Sequence, residues 1–375
     1  MKITRIAAVD ACRWSTKSIP AAPYVTSLPW ISHYGCHYVA HGDDITSDSN
    51  GEDCYRYVKA AGRFVVVKRT PSISTTDLVG RMLLCTKNHF IRSLSDVLEG
   101  VEGPGAVQER QSAGLGMKKR IEEYASDQTG TQPGCTVFAW ISSPSTGDGI
   151  AEDGRPQKLI EGNEPQSGQR IVYVDGGFDL FSSGHIEFLR QVSLEEAEIG
   201  RQHGRYTSSE QLYSPAYIIA GVHDDTVINR WKGLNYPIMN IFERGLCVLQ
   251  CRVSLKLVSL MCSSYPWQYI NSVVFSAPFA PSATYLSSLP YGMPHAVYHG
   301  PTSFVPLIYD PYSDARKLRI YRQIGEHSFQ NVNAGEIVQR ILKSRQRYEA
   351  RQMAKGEKGL LEKSILHQGA ALANV

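Results

Sequence analysis

Three groups of residues in this chain of 375 have types and spacings suited to gripping phosphate. The first is the turn Gly177-Phe178-Asp179, which follows the apolar run Arg170-Ile-Val-Tyr-Val174 and leads into Ser183-Gly184-His185. Such a turn opens a helix, where unpaired backbone amides and the helix dipole attract anions, and His185 in the first turn adds a donor. A surface or capping role fits the same histidine, and Asp179 fits orienting the loop as well as meeting a ligand. The second group is Lys232-Gly233, ahead of Tyr236-Pro237. A lysine on a glycine-hinged loop at the same sheet edge reaches a triphosphate and neutralises charge on a transferred group, although a solvated lysine is the plainer reading. The third is Arg69-Thr70 with Ser74-Thr75-Thr76, between an expected strand Phe64 to Val67 and a helix Leu78 to Cys85. There a bidentate guanidinium stands beside hydroxyls at a helix start, whereas an ordinary cap accounts for one hydroxyl rather than three.

These groups need a scaffold. Strand, Gly turn and helix are followed by a second apolar run, Tyr217-Ile-Ile-Ala-Gly-Val222, which makes a βαβ unit with its ligand site at the carboxyl ends of the strands. The fold class expected is α/β, a Rossmann-like doubly wound parallel sheet. The GxGxxG fingerprint is missing after the first strand, and no Asp or Glu ends the next, so a mononucleotide fits this crevice better than a dinucleotide.

The chain also repeats itself. Arg5-Ile-Ala-Ala-Val-Asp-Ala-Cys-Arg13 pairs with Arg244-Gly-Leu-Cys-Val-Leu-Gln-Cys-Arg252, Ala22-Pro-Tyr24 with Ala277-Pro-Phe279, Ala40-His41-Gly42 with Tyr298-His299-Gly300, and Val79-Gly-Arg-Met-Leu83 with Val338-Gln-Arg-Ile-Leu342. Four matches in the same order imply two copies of one fold, the tandem expectation being 1–90 for a partial first copy and 169–345 for the second. Residues 91–168, rich in Gly, Ser, Pro and charge, are expected to be a linker with one local element at Gly134 to Trp140, and 346–375 a charged helical tail. The second copy carries 16 extra residues, Val253 to Gln268, which read equally as a surface loop or as a translated in-frame intron. Arg170 to Glu243 has no counterpart in copy one, so about 74 residues are missing there, and the expectation is that the chain starts late at Met1. Half of a doubly wound sheet leaves a raw edge that a protein is expected to cover.

Composition excludes other classes. Hydrophobic residues at 42% and charged residues at 20% are globular values, and 39 Lys and Arg against 36 Asp and Glu leave only +3, too little to make nucleic acid the default partner. Apolar runs are strand-sized, so no transmembrane segment is expected. Met1 to Thr16 lacks an apolar signal core, which points to a reducing, cytoplasmic setting in which the eight cysteines are free thiols; their spacing lacks the histidines of a zinc site.

The motifs resemble the cytidylyltransferase family of the HxGH nucleotidyltransferases, and within it the tandem-fold ethanolamine-phosphate cytidylyltransferases. Gly177-Phe-Asp-Leu-Phe-Ser-Ser-Gly-His185 looks like the family's G-x-F-D-L-F-H-x-G-H, and Arg69-Thr-Pro-Ser-Ile-Ser-Thr-Thr76 like its R-T-x-G-I-S-T-T. Val222-His-Asp-Asp-Thr-Val-Ile-Asn-Arg-Trp-Lys-Gly233 and Pro237-Ile-Met-Asn-Ile-Phe-Glu-Arg244 extend the match. The departures are Ser182 for the first histidine, Ser72 for the signature glycine, and a first copy without HxGH. The resemblance implies transfer of a cytidylyl group from CTP, carrying Mg²⁺, to phosphoethanolamine, with histidines, lysine and helix amides stabilising the charge. It nominates His185 and Lys232 as catalytic, and Gly177, Phe178, Asp179, His299, Gly300, His41, Gly42, Arg69, Thr70, Ser74, Thr75 and Thr76 as nucleotide-binding. A homodimer is compatible with it. Because neither copy holds both signatures, a nucleotide-binding protein without turnover is the alternative.

Overall fold

A computed structural model describes residues 2–44, 46–68, 74–127, 129–142, 154–202, 216–251, 270–301, 309–346 and Met353. Two compact units divide it. The smaller comprises Ile19–Leu83 with the chain from Ile341 onward, the larger Met1–Ser18 with Leu84–Arg340.

Helix α1 (Lys2–Asp10) therefore leads into the larger unit although it begins copy one. In the smaller unit lie α2 (Leu28–His33), β1 (Val39–His41), α3 (Arg56–Ala60), β2 (Phe64–Val66) and, but for its last residue, α4 (Thr75–Leu84). Strands β1 and β2 pair in parallel, His41 opposite Val66. Val65, Val66 and Val67 are 43%, 56% and 54% exposed, so apolar surface of this short sheet faces solvent. Helix α4 starts before the expected Leu78, because the Ser74 hydroxyl accepts the Thr76 amide at 3.2 Å and caps an earlier first turn.

The larger unit continues through α5 (Leu94–Glu99), α6 (Val107–Ala125), β3 (Thr136–Ser142), β4 (Gly154–Ile160), β5 (Arg170–Gly176), α7 (Ser183–Gln202), β6 (Ala216–Val222), α8 (Asp225–Lys232), α9 (Ile241–Leu249), β7 (Ser272–Phe275), α10 (Ala283–Ser287), β8 (Ala296–His299), α11 (Ser313–Lys317), β9 (Tyr321–Gln323) and, but for its last three residues, α12 (Ala334–Lys343). Its sheet has the order β4-β3-β7-β6-β5-β8-β9. All neighbours are parallel except the edge pair β3 and β4. Strand order reverses between β5 and β8, the switch point where doubly wound sheets open a crevice. Both faces are covered: Val172 and Val174 pack on one side with Leu189 of α7, while Ile171 and Tyr173 pack on the other with Tyr285 of α10. That is why the strands read as continuous apolar runs.

The expected linker is not one. Residues 91–168 contain α5, α6, β3 and β4; β3 is buried from Thr136 to Trp140 and lies beside β7, Val137 opposite Val273. Two of their glycines are turn and packing residues: Gly100 caps α5 in the left-handed conformation at φ 73, and Gly114 lets α6 approach the Leu98 carbonyl so closely that a Cβ would lie 2.5 Å from it.

Strand β8 pairs with β9, His299 opposite Gln323, and α12 follows, the same order as β1, β2 and α4. Helices α1 and α9 hold the first matched segments. Residues 253–268 lie outside the described residues, as does the tail beyond 346 apart from Met353. Among the described residues no helix is long and apolar enough to cross a membrane.

Candidate nucleotide site

The carboxyl ends of β5, β6 and β8 meet the starts of α7 and α12 around a cavity of about 590 Å³, a size usual for small-ligand sites. Gly177, Phe178, Asp179, His185, Lys232, His299 and Gly300 all line it. The sequence-predicted residues of the second copy are thus brought together.

The turn that places His185 is tightly wound. Phe178 and Leu180 both hold φ 47, a left-handed conformation that costs energy without a glycine. Beneath it lies Arg244 of α9, fully buried. Its guanidinium donates to the carbonyls of Met239, Gly177 and His223 at 3.0, 2.6 and 2.7 Å, and to Asp225 Oδ1 at 2.7 Å. The other Asp225 oxygen accepts the Ile91 amide at 2.9 Å. One guanidinium therefore ties the ends of β5 and β6 to α9, and both ions of the pair are hydrogen-bonded, as burial requires.

His185 stands in the first turn of α7 with its ring stacked on Phe181 at 5.4 Å. Its Nδ1 receives the backbone N–H of Ser182 at 3.1 Å. Burial, with a smaller contribution from the Lys232 charge, pushes its pKa down to about 4, so the ring is neutral at pH 7 and carries its proton on Nε2. Ser182, at the position of the missing histidine, donates its hydroxyl to the Val332 carbonyl. His223 and His299 are also held near 4, chiefly by burial. The His223 Nδ1 donates to the Ala277 carbonyl at 3.0 Å.

Lys232 is the last residue of α8 rather than a loop residue, and Gly233 at φ 67 ends the helix. The side chain meets solvent, and protein atoms crowded round the ammonium lower its pKa from the usual lysine value, a shift that solvent contact tempers; Asp179 opposes it. Asp179 itself is buried, and its two carboxylate oxygens accept the Ile238 and Met239 amides, each at 2.9 Å. Its work is to hold the 236–240 loop.

Sequence reasoning missed Asp175, His223, Trp231, Phe279 and Tyr312, which also line the cavity. Tyr312 donates its hydroxyl to Asp175 Oδ1, while Oδ2 is buried without a hydrogen-bond partner among the described residues; burial raises this carboxyl to about 7. Trp231 and Phe279 stack at 4.9 Å as an aromatic wall. Asp175 and His223 were findable, since each sits where a parallel strand ends; Tyr312 arrives from a distant loop and had no local signal.

In copy one, His41 Nδ1 donates to the Gly42 carbonyl at 3.1 Å, and Gly42 borders a smaller hollow of about 270 Å³ with Asp43, Asp44 and Lys59. Ser74 acts as the cap already described, with Thr75 and Thr76 in the first turn of α4. Arg69 and Thr70 lie outside the described residues. Every residue lining the larger cavity belongs to the larger unit, so His41, Gly42 and Ser74 to Thr76 form no part of it. Among the described residues, no group of three or more His, Cys, Asp and Glu is placed to hold a metal ion.

A family model described as Cytidylyltransferase-like matches residues 2–81. The ethanolamine-phosphate cytidylyltransferase of Mus musculus is 37% identical over 94% of this chain and 76% of its own length. This chain belongs to the ethanolamine-phosphate cytidylyltransferases. The enzyme of that name from Dictyostelium discoideum is 34% identical over 94% of this chain and 80% of its own. Choline-phosphate cytidylyltransferase 2 of Arabidopsis thaliana is 30% identical over only 31% of this chain and 40% of its own. These two ethanolamine-phosphate cytidylyltransferases thus match nearly the whole chain, while the choline-phosphate relative matches under a third of it.

Proposed function

We propose that this chain transfers the cytidylyl group of CTP to phosphoethanolamine, giving CDP-ethanolamine and pyrophosphate for phospholipid synthesis. The observation that carries the reading is the cavity at the switch point, where the start of α7 presents a neutral His185 with its proton on Nε2 and α8 ends in Lys232, in a chain of this family. A phosphate oxygen of phosphoethanolamine attacks the α-phosphorus of CTP in line; the new P–O bond forms as the bond to the bridging oxygen breaks, and pyrophosphate leaves. No protein atom enters a covalent intermediate. The amides of α7 and the His185 N–H hold the phosphates, Lys232 offsets charge growing on the leaving group, and the brace of Arg244 keeps the turn from shifting. Mg²⁺ comes in with CTP as part of the substrate. The same reading sets the chain in the cytoplasm, and sedimentation of the full chain tests whether it is a homodimer.

One observation favours a second reading, binding without turnover: Ser182 stands in place of the first signature histidine and its hydroxyl is committed to Val332. The deciding measurement is CDP-ethanolamine formation from CTP and phosphoethanolamine with Mg²⁺. Turnover in the usual enzyme range of roughly 1 to 10³ per second establishes the transferase; CTP binding with no CDP-ethanolamine establishes the second reading.

A further inference from the structure

Three cysteines gather away from the nucleotide cavity, where the end of α1 meets the end of α9. Cys12 and Cys251 are the last cysteines of the two matched repeat segments, and they face each other in an isolated antiparallel bridge. The Arg13 amide donates to the Gln250 carbonyl at 3.0 Å. A bond from the residue after one cysteine to the residue before the other makes Cys12 and Cys251 a non-hydrogen-bonded pair, whose Cα atoms stand about 4.5 Å apart with side chains on the same side. That spacing is inside the range of roughly 4.4 to 6.8 Å a disulfide spans. Cys12 is partly exposed, Cys251 is buried, and Cys247 lies one helical turn earlier on α9.

We propose that Cys12 and Cys251 form a reversible intramolecular disulfide that joins the first repeat covalently to the second. The oxidant is a low-molecular-weight disulfide such as oxidised glutathione. The Cys12 thiolate, the reachable one, attacks a glutathione sulfur and releases one glutathione thiolate. The Cys251 sulfur then attacks the Cys12 side of the mixed disulfide, that S–S bond breaks, and the second glutathione leaves; the two protein protons end on the two glutathiones. Burial raises the thiol pKa values of Cys251 and of Cys247, the latter to about 12, so Cys251 reacts as the resolving partner rather than the first nucleophile. The bond closes a ring spanning most of the chain, so it stabilises the folded state by restricting the unfolded one.

Equilibrate the full chain in oxidised or reduced glutathione, block free thiols by alkylation, and map peptides without reduction. The expected result is one cross-linked peptide pairing Cys12 with Cys251, lost on reduction, still formed in Cys247→Ser, and accompanied by a higher thermal midpoint that Cys12→Ser does not show on oxidation. Cys12 and Cys251 both remaining alkylated in oxidised, folded protein overturns the proposal, and so does Cys12 pairing with a different cysteine. The peptide map of the unsubstituted chain decides the matter even where a variant does not fold.

Discussion

His185 Nδ1 accepts the backbone N–H of Ser182 at 3.1 Å, which fixes one tautomer of the ring. An amide has only a proton to give, so Nδ1 offers its lone pair and Nε2 keeps the hydrogen. Lowered by burial to about 4, this histidine stays neutral where an unfolded one, near 6.5, takes up a proton. Protons bound by the unfolded state alone reduce stability, so the His185 contribution is intact above about pH 6.5 and declines as pH falls toward 4. Unfolding free energies of the chain and of His185→Gln, measured from pH 7.5 to 4.5, are expected to converge as the solution becomes more acid. Using the difference removes the opposite slope of Asp175 and Asp224, whose raised pKa values favour the fold at low pH. A ring that titrates near 6.5 by NMR contradicts the assignment.

Arg244 is expected to be the most costly single residue to remove in the larger unit. Arg244→Met leaves Asp225 buried without its cation and strips donors from the Gly177 and His223 carbonyls. Breaking a buried pair from one side costs about 3 to 5 kcal/mol. Arg244→Lys recovers little, because an ammonium cannot reach acceptors spread around a planar fork. Urea unfolding of the three proteins checks both statements; a loss for Arg244→Met under 1 kcal/mol is incompatible with the brace.

The larger unit was the more legible part of the sequence. Apolar runs at Arg170–Val174 and Tyr217–Val222 gave β5 and β6 because strands covered on both faces carry no polar alternation, and the Gly turn before Ser183 marked the start of α7. The same habit failed at residues 91–168. There Gly100, Gly114 and their neighbours looked like linker composition, yet they cap α5 and seat α6 against it. Composition counts glycines, whereas structure uses each for a left-handed turn or a close approach. In the cavity, Lys232 was legible from its motif and Asp179 only in part. Whether that carboxylate touches a ligand or two backbone amides depends on the 236–240 loop folding back over it, a tertiary contact some 59 residues away in sequence.

Asp179→Ala separates support from binding. It leaves the Ile238 and Met239 amides without their acceptor, and each unsatisfied buried donor costs about 1 to 3 kcal/mol. The variant is expected to unfold at a lower temperature and to bind cytidine and CTP with equal loss, because the loop as a whole loosens. A loss confined to CTP in a protein of unchanged thermal midpoint means that Asp179 contacts the nucleotide itself.

Lys232 gives the opposite pattern. Its ammonium lies at the end of α8, lines the cavity with His185, and has no salt-bridge partner among the described residues, while Asp179 is occupied by backbone amides. A cation so placed meets phosphate rather than base, and a hydrogen bond to a charged group contributes about 1.5 to 3 kcal/mol. Lys232→Ala is therefore expected to weaken CTP by roughly tenfold or more while leaving cytidine affinity and the thermal midpoint nearly unchanged. The comparison is made by calorimetry at fixed ionic strength, since screening lowers the contribution of a solvent-contacting lysine. Equal weakening of both ligands assigns Lys232 to the shape of the pocket, and an unsubstituted chain that binds no CTP removes the site.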